Sequence, residues 1–70
     1  MKTIRQLREE HNLTQLALAN RAGVTPSTIY NWESGRFEPK ALQLRAVARV
    51  FGVSSDDIEL VEEQASKKAA

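Results

Sequence analysis

Seventy residues give one domain with a modest core, and a chain this short buries only about 60% of its unfolded surface. Cysteine is absent, so neither a disulfide nor a thiolate metal site holds the fold, and regular helix packing or oligomerisation is left to do so. The net charge of +1 hides a split: residues 1–52 carry +4 and residues 53–70 carry −3, an asymmetry that bears on partners more than the total does.

Thr3 with Gln6 three residues later has the pattern of a capping box, and Ile4 and Leu7 follow at helical spacing towards Asn12. Thr14 offers a second N-cap, Leu18, Ala19 and Ala22 line one face of a short helix, and Gly23 stops it. Thr25-Pro26 starts a third helix, because threonine accepts from a free amide and proline is tolerated where its missing N–H has no partner. Gly35 ends that helix. Pro39 precedes a fourth, from Lys40 to Phe51, with Leu44, Val47, Ala48 and Phe51 at a period of 3.6, and Gly52 closes it. Ser54 reads as the cap of a fifth helix, with Asp56 and Asp57 favoured at its positive end.

This punctuation predicts an all-α, five-helix bundle over residues 1–63, followed by a flexible polar tail over 64–70. No run has the two-residue period of a strand. No apolar run reaches the roughly 18 to 20 residues of a membrane span, and the charged start Met1-Lys2-Thr3-Ile4-Arg5 lacks the apolar core of a signal peptide, so a cytoplasmic protein is expected.

The stretch Thr14 to Gly35 reads as helix, glycine-containing turn, helix, which is what two steeply crossing helices require. On the second of these, Ile29 and Trp32 share one side, and Ser27, Tyr30, Asn31 and Ser34 share the other. That outer face is polar, uncharged and able both to donate and to accept. Such groups suit base edges in a major groove, where asparagine pairs with adenine. A generic solvent face would carry Glu and Lys, the better helix formers.

The run from Ile4 to Leu60 resembles the Xre family of regulators, which includes the lambdoid phage repressors and Cro. The resemblance rests on Arg8, Leu13-Thr14-Gln15, Leu18-Ala19, Gly23-Val24, Ile29, Trp32-Glu33, Gly35, Pro39, Leu44, Ala48, and Gly52-Val53 followed by Ile58. It implies a lambda-repressor-like domain that places its second motif helix in the major groove of double-stranded DNA. Pro26, Ser27, Thr28 and Asn31 match base-reading positions. Gln15, Thr25, Tyr30, Ser34, Arg36 and Lys40 match positions on the phosphate backbone. For Gln15 the alternative is helix capping, and for Tyr30 simple cover of its own helix. Arg8 and Glu33 match a partly buried ion pair.

Four positions depart from the family pattern. Leu16 and Ala17 stand where charged or polar residues are usual, Pro26 cannot donate a hydrogen bond to a base, and Ser55 replaces a frequent apolar residue. Two functions follow from the family. The first is a transcriptional repressor acting as a homodimer on a two-fold operator, with Leu60 and Val61 as dimer contacts or, alternatively, ordinary core. The second is an antitoxin or another module that binds a toxin or protein partner, using Leu16, Ala17 and the acidic end. An enzyme is not expected: there is no cysteine, no second histidine, no glycine-rich phosphate loop and no metal-ligand cluster, and neither cofactor nor metal is predicted. His11, alone near a helix end, and the glutamate pairs Glu9-Glu10 and Glu62-Glu63 read as solvated surface.

Overall fold

The computed structural model describes residues 1–61. In chain order these form strand β1 (Lys2–Thr3), helices α1 (Ile4–Glu10), α2 (Gln15–Ala22), α3 (Pro26–Ser34) and α4 (Ala41–Phe51), a 3-10 turn (Ser55–Asp57), and strand β2 (Ile58–Glu59). The predicted tail over 64–70, its boundary at residue 63 and the pair Glu62-Glu63 lie outside the described residues.

The helix boundaries follow the capping chemistry. Thr3 accepts from the Gln6 amide and Gln6 returns a side-chain acceptor to the Thr3 amide, at 3.1 and 2.9 Å, which completes the predicted box. Thr14 and Thr25 cap α2 and α3 in the same way through the amides of Ala17 and Thr28. Lys40 has no acceptor to offer, so α4 has only the reciprocal half of a box, the Gln43 side chain accepting from the Lys40 amide at 2.9 Å. The helices α2 and α3 end on Gly23 and Gly35 in the left-handed region, at φ of 77° and 82°. Helix α1 stops at Glu10, short of the expected Asn12, because Asn12 itself adopts a left-handed φ of 56° and the Leu13 amide turns back to the Arg8 carbonyl.

Each helix contributes its apolar stripe to one core. Leu18, Ala19, Ile29 and Val47 are fully buried, with Ile4, Leu7, Trp32, Ala48, Phe51 and Ile58 around them. Helix α2 packs on both α3 and α4, and α1 closes over α3 and α4. The seat of Trp32 beside Ile29 in this core is the one its spacing predicts. Among the described residues no helix is long and apolar enough to cross a membrane.

Among the described residues no fifth helix forms. Ser54 does cap, accepting from the Asp56 amide, but only a three-residue 3-10 turn follows. None of that turn's side chains is buried, and the next apolar anchor, Ile58, takes extended backbone. It sinks into the core at 4% exposure while β2 pairs in parallel with β1, Lys2 against Ile58 and Thr3 against Glu59. A β-branched residue with both an apolar seat and a strand partner favours this extended form over another helical turn. The described fold is therefore four α-helices closed by a two-residue parallel ladder. A strand of two residues is too short to show a period in the sequence. Leu60 and Val61 consequently follow a strand, not a helix, and both are half-buried.

Candidate nucleic-acid interface

Helix α3 lies with Ile29 and Trp32 inward and Ser27, Tyr30 and Ser34 exposed. Thr25 and Pro26, at its start, are exposed as well. Asn31 is half-buried, and its side-chain amide engages no protein partner among the described residues, so both its donor and its acceptor are available. Its main-chain carbonyl closes the helix, accepting from the Arg36 amide at 3.0 Å and from the Ser34 hydroxyl at 3.2 Å. Thr28 is less free than the sequence implies: it is half-buried and its hydroxyl pairs with that of Thr25 at 2.9 Å. Ser27, Tyr30 and Asn31 are thus the open polar side chains of the face among the described residues.

Beyond α3, Arg36 and Lys40 extend from an exposed loop, and neither pairs with a carboxylate among the described residues. Phe37, between them, is 60% exposed, a large apolar side chain beside the basic ones that composition and period did not single out.

The support for α3 is polar. Arg8 donates from Nε to Glu33 at 2.6 Å and from Nη2 at 3.2 Å, and from Nη1 to the Leu13 carbonyl at 2.9 Å. The side chains retain only 14% and 6% of their exposure. Hydrogen bonding to Glu33 raises the Arg8 pKa above its ordinary value against the opposing effect of desolvation, and the charges of Glu33 and Glu9 add to the rise. The guanidinium therefore stays charged across the working pH range.

Glu33 accepts a third hydrogen bond, from a second partner that sequence spacing did not reveal. Gln15 donates to it from Nε2 at 3.0 Å, fixing the side chain at the first turn of α2. Gln15 is the first residue of α2 and Glu33 lies on α3, so this one carboxylate ties the two motif helices together and both of them to α1. Among the described residues the remaining hydrogen and the carbonyl of the Gln15 amide have no partner. Arg5, Arg8, Gln15, Tyr30, Glu33 and Ser34 line a shallow groove of about 420 Å³ beside α3.

Two helices joined by Gly23-Val24-Thr25, the second presenting a polar face and buttressed by a partly buried ion pair, define a helix-turn-helix unit on a small helical scaffold. A family model described as helix-turn-helix matches residues 4–58, and the chain belongs to this family. An uncharacterized HTH-type transcriptional regulator of Methanothermobacter thermautotrophicus is 40% identical over 65 residues, covering 91% of this chain and 94% of that one. The HTH-type transcriptional activator BcrR of Enterococcus faecalis is 37% identical over 60 residues, covering 86% of this chain but 29% of its own length. Among solved structures, the DNA-binding domain of the P22 C2 repressor superposes with a TM-score of 0.73 at 32% identity, over 76% of this chain and 70% of that one.

Proposed function

We propose that this chain is a sequence-specific regulator of transcription that binds double-stranded DNA, and that it represses as a homodimer on a two-fold operator. Helix α3 enters the major groove. Ser27 and Asn31 read base edges, Pro26 offers apolar contact, and Thr28, held by Thr25, sets the start of the helix against the DNA. Gln15, Thr25, Tyr30, Ser34, Arg36 and Lys40 lie along the phosphates and fix register. The observation that carries this reading is the outward face of α3, where Asn31 keeps an unengaged amide next to exposed Ser27 and Tyr30. The likeness to the P22 C2 repressor domain supports repression. One recognition helix spans few base pairs, so a dimer on half-sites about 34 Å apart multiplies specificity. Leu60 and Val61, half-buried beyond β2, are the proposed apolar contacts between protomers.

Fluorescence anisotropy tests the reading, with labelled duplex from the gene's own upstream region against a scrambled duplex across a salt series. Tight binding to the upstream duplex alone, with log K falling by about 0.9 per decade of salt for each neutralised phosphate, is the expected result. Absence of binding even at low salt would shift the function to the second reading, an antitoxin or partner-binding module, which Leu16 favours by standing 57% exposed at the start of α2.

A further inference from the structure

The groove of about 420 Å³ beside α3 contains one charge that the fold leaves open. Two guanidinium groups, of Arg5 and Arg8, and one carboxylate, of Glu33, line it. Arg8 is engaged by Glu33 and the Leu13 carbonyl, and Glu33 by Arg8 and Gln15, so the positive charge of the groove without a partly buried counter-ion is Arg5. Its partner is Glu9, one helical turn on, held through Nε alone at 3.2 Å, with the two side chains 66% and 57% exposed. An exposed pair at this spacing contributes little and is screened by salt. Both Nη groups of Arg5 have no partner among the described residues.

The same groove offers neutral donors. Tyr30 is exposed and Gln15 keeps one amide hydrogen without a partner among the described residues. A groove that is net positive, carries hydroxyl and amide donors and has its one carboxylate already neutralised suits a phosphodiester, which is singly charged and only accepts. We propose that Arg5 is a further phosphate contact: a backbone phosphate of the bound duplex enters this groove and takes the guanidinium from Glu9. A carboxylate and a phosphate on one guanidinium repel each other, and the phosphate, held by Gln15 and Tyr30 as well, displaces the screened carboxylate. Glu9 thereby competes with DNA for Arg5 and lowers the affinity of the chain. The proposal rests on the DNA-binding reading above and extends the footprint from the two motif helices to α1.

Fluorescence anisotropy of the full chain with the upstream and scrambled duplexes over a salt series tests it. Arg5→Ala is expected to weaken binding to the upstream duplex about 5- to 20-fold and to reduce the salt slope by about 0.9. The scrambled duplex, at low salt, should lose by the same factor, because a phosphate carries no sequence. Arg5→Lys should keep the slope while losing part of the affinity, since an ammonium lacks the guanidinium fork. Glu9→Gln should tighten binding about 2- to 5-fold with the slope unchanged. In the Arg5→Ala background that gain should largely vanish, which separates exchange at Arg5 from a general relief of repulsion between Glu9 and the duplex. Thermal melts of each variant without DNA check that the fold is kept. Unchanged affinity in Arg5→Ala, a loss with the slope intact, or a loss confined to the upstream duplex overturns the contact. Weaker binding by Glu9→Gln would make Glu9 a support that orients Arg5, and this or an equal gain in both backgrounds overturns the exchange. A parent chain that binds neither duplex defeats the regulatory reading and this proposal with it. Parent binding that ignores Arg5 defeats this proposal alone.

Discussion

Glu33 accepts from Arg8 twice and from Gln15 once, at 6% exposure, so its removal strands a partly buried guanidinium and releases the Gln15 side chain at the start of α2. Truncating one partner of a buried pair costs more than the pair is worth against an apolar substitute. Glu33→Ala should therefore lose about 3 to 5 kcal/mol in a denaturant melt. A loss under about 1 kcal/mol would identify a solvent-screened surface pair. Two of the side chains proposed to contact DNA should fail differently. Asn31→Ala should cost about 1 to 3 kcal/mol at its base pair and relax discrimination there, whereas Arg36→Ala should weaken all duplexes alike and reduce the salt slope by about 1. Competition binding against single-base operator variants separates them, and matching losses for both would refute the assignment. The Arg8–Glu33 pair was legible in the sequence through its match to the family. The Gln15 link was not, since a glutamine on one helix and a glutamate 18 residues on show no period that would announce a contact. A cue did exist in Glu33: an ionised carboxylate can accept about four hydrogen bonds, and Arg8 fills only two of those sites, leaving room for a further donor such as Gln15.

Caps and stops were the most readable features because their chemistry is local. Thr3, Thr14 and Thr25 cap where their hydroxyls and the following amides require it, and Gly23 closes α2 at a φ of 77°. The space around Gly23 is empty within 4 Å of where a Cβ would sit, so Gly23→Ala meets no clash and pays only for the left-handed backbone, about 1 to 2 kcal/mol less a few tenths returned through the unfolded chain. Thr25→Ala should cost about 0.5 to 2 kcal/mol and also release the Thr28 hydroxyl it now holds. Urea melts give both losses. If Thr25→Ala left stability unchanged yet altered base preference, the Thr25–Thr28 pair would be part of readout and not of capping. The missing fifth helix marks the limit of local reading. Ser54, Asp56 and Asp57 form a sound helix start, but the outcome depends on Lys2 and Thr3, more than fifty residues earlier, which supply the strand partner.

Closure of the molecule depends on that distant pairing. Ile58 joins the C-terminal end of the described fold to the strand ahead of α1, and through the core it shares with Ile29 and Trp32 it backs α3, the helix proposed to enter the DNA groove. A 70-residue domain has a stability of roughly 0.05 to 0.15 kcal/mol per residue, a few kcal/mol in all. Ile58→Ala removes a side chain at 4% exposure and should cost about 2 to 5 kcal/mol, which takes the free chain to the edge of unfolding. Because only the folded state presents α3, the apparent DNA affinity should fall by the fraction folded, and duplex in excess should recover the fold by mass action. Thermal melts of Ile58→Ala with and without the upstream duplex measure both effects. A variant that melts like the parent would show that the ladder and its isoleucine are dispensable. One that melts early and is not raised by a duplex that protects the parent would show that Ile58 shapes the DNA-facing surface as well as holding it.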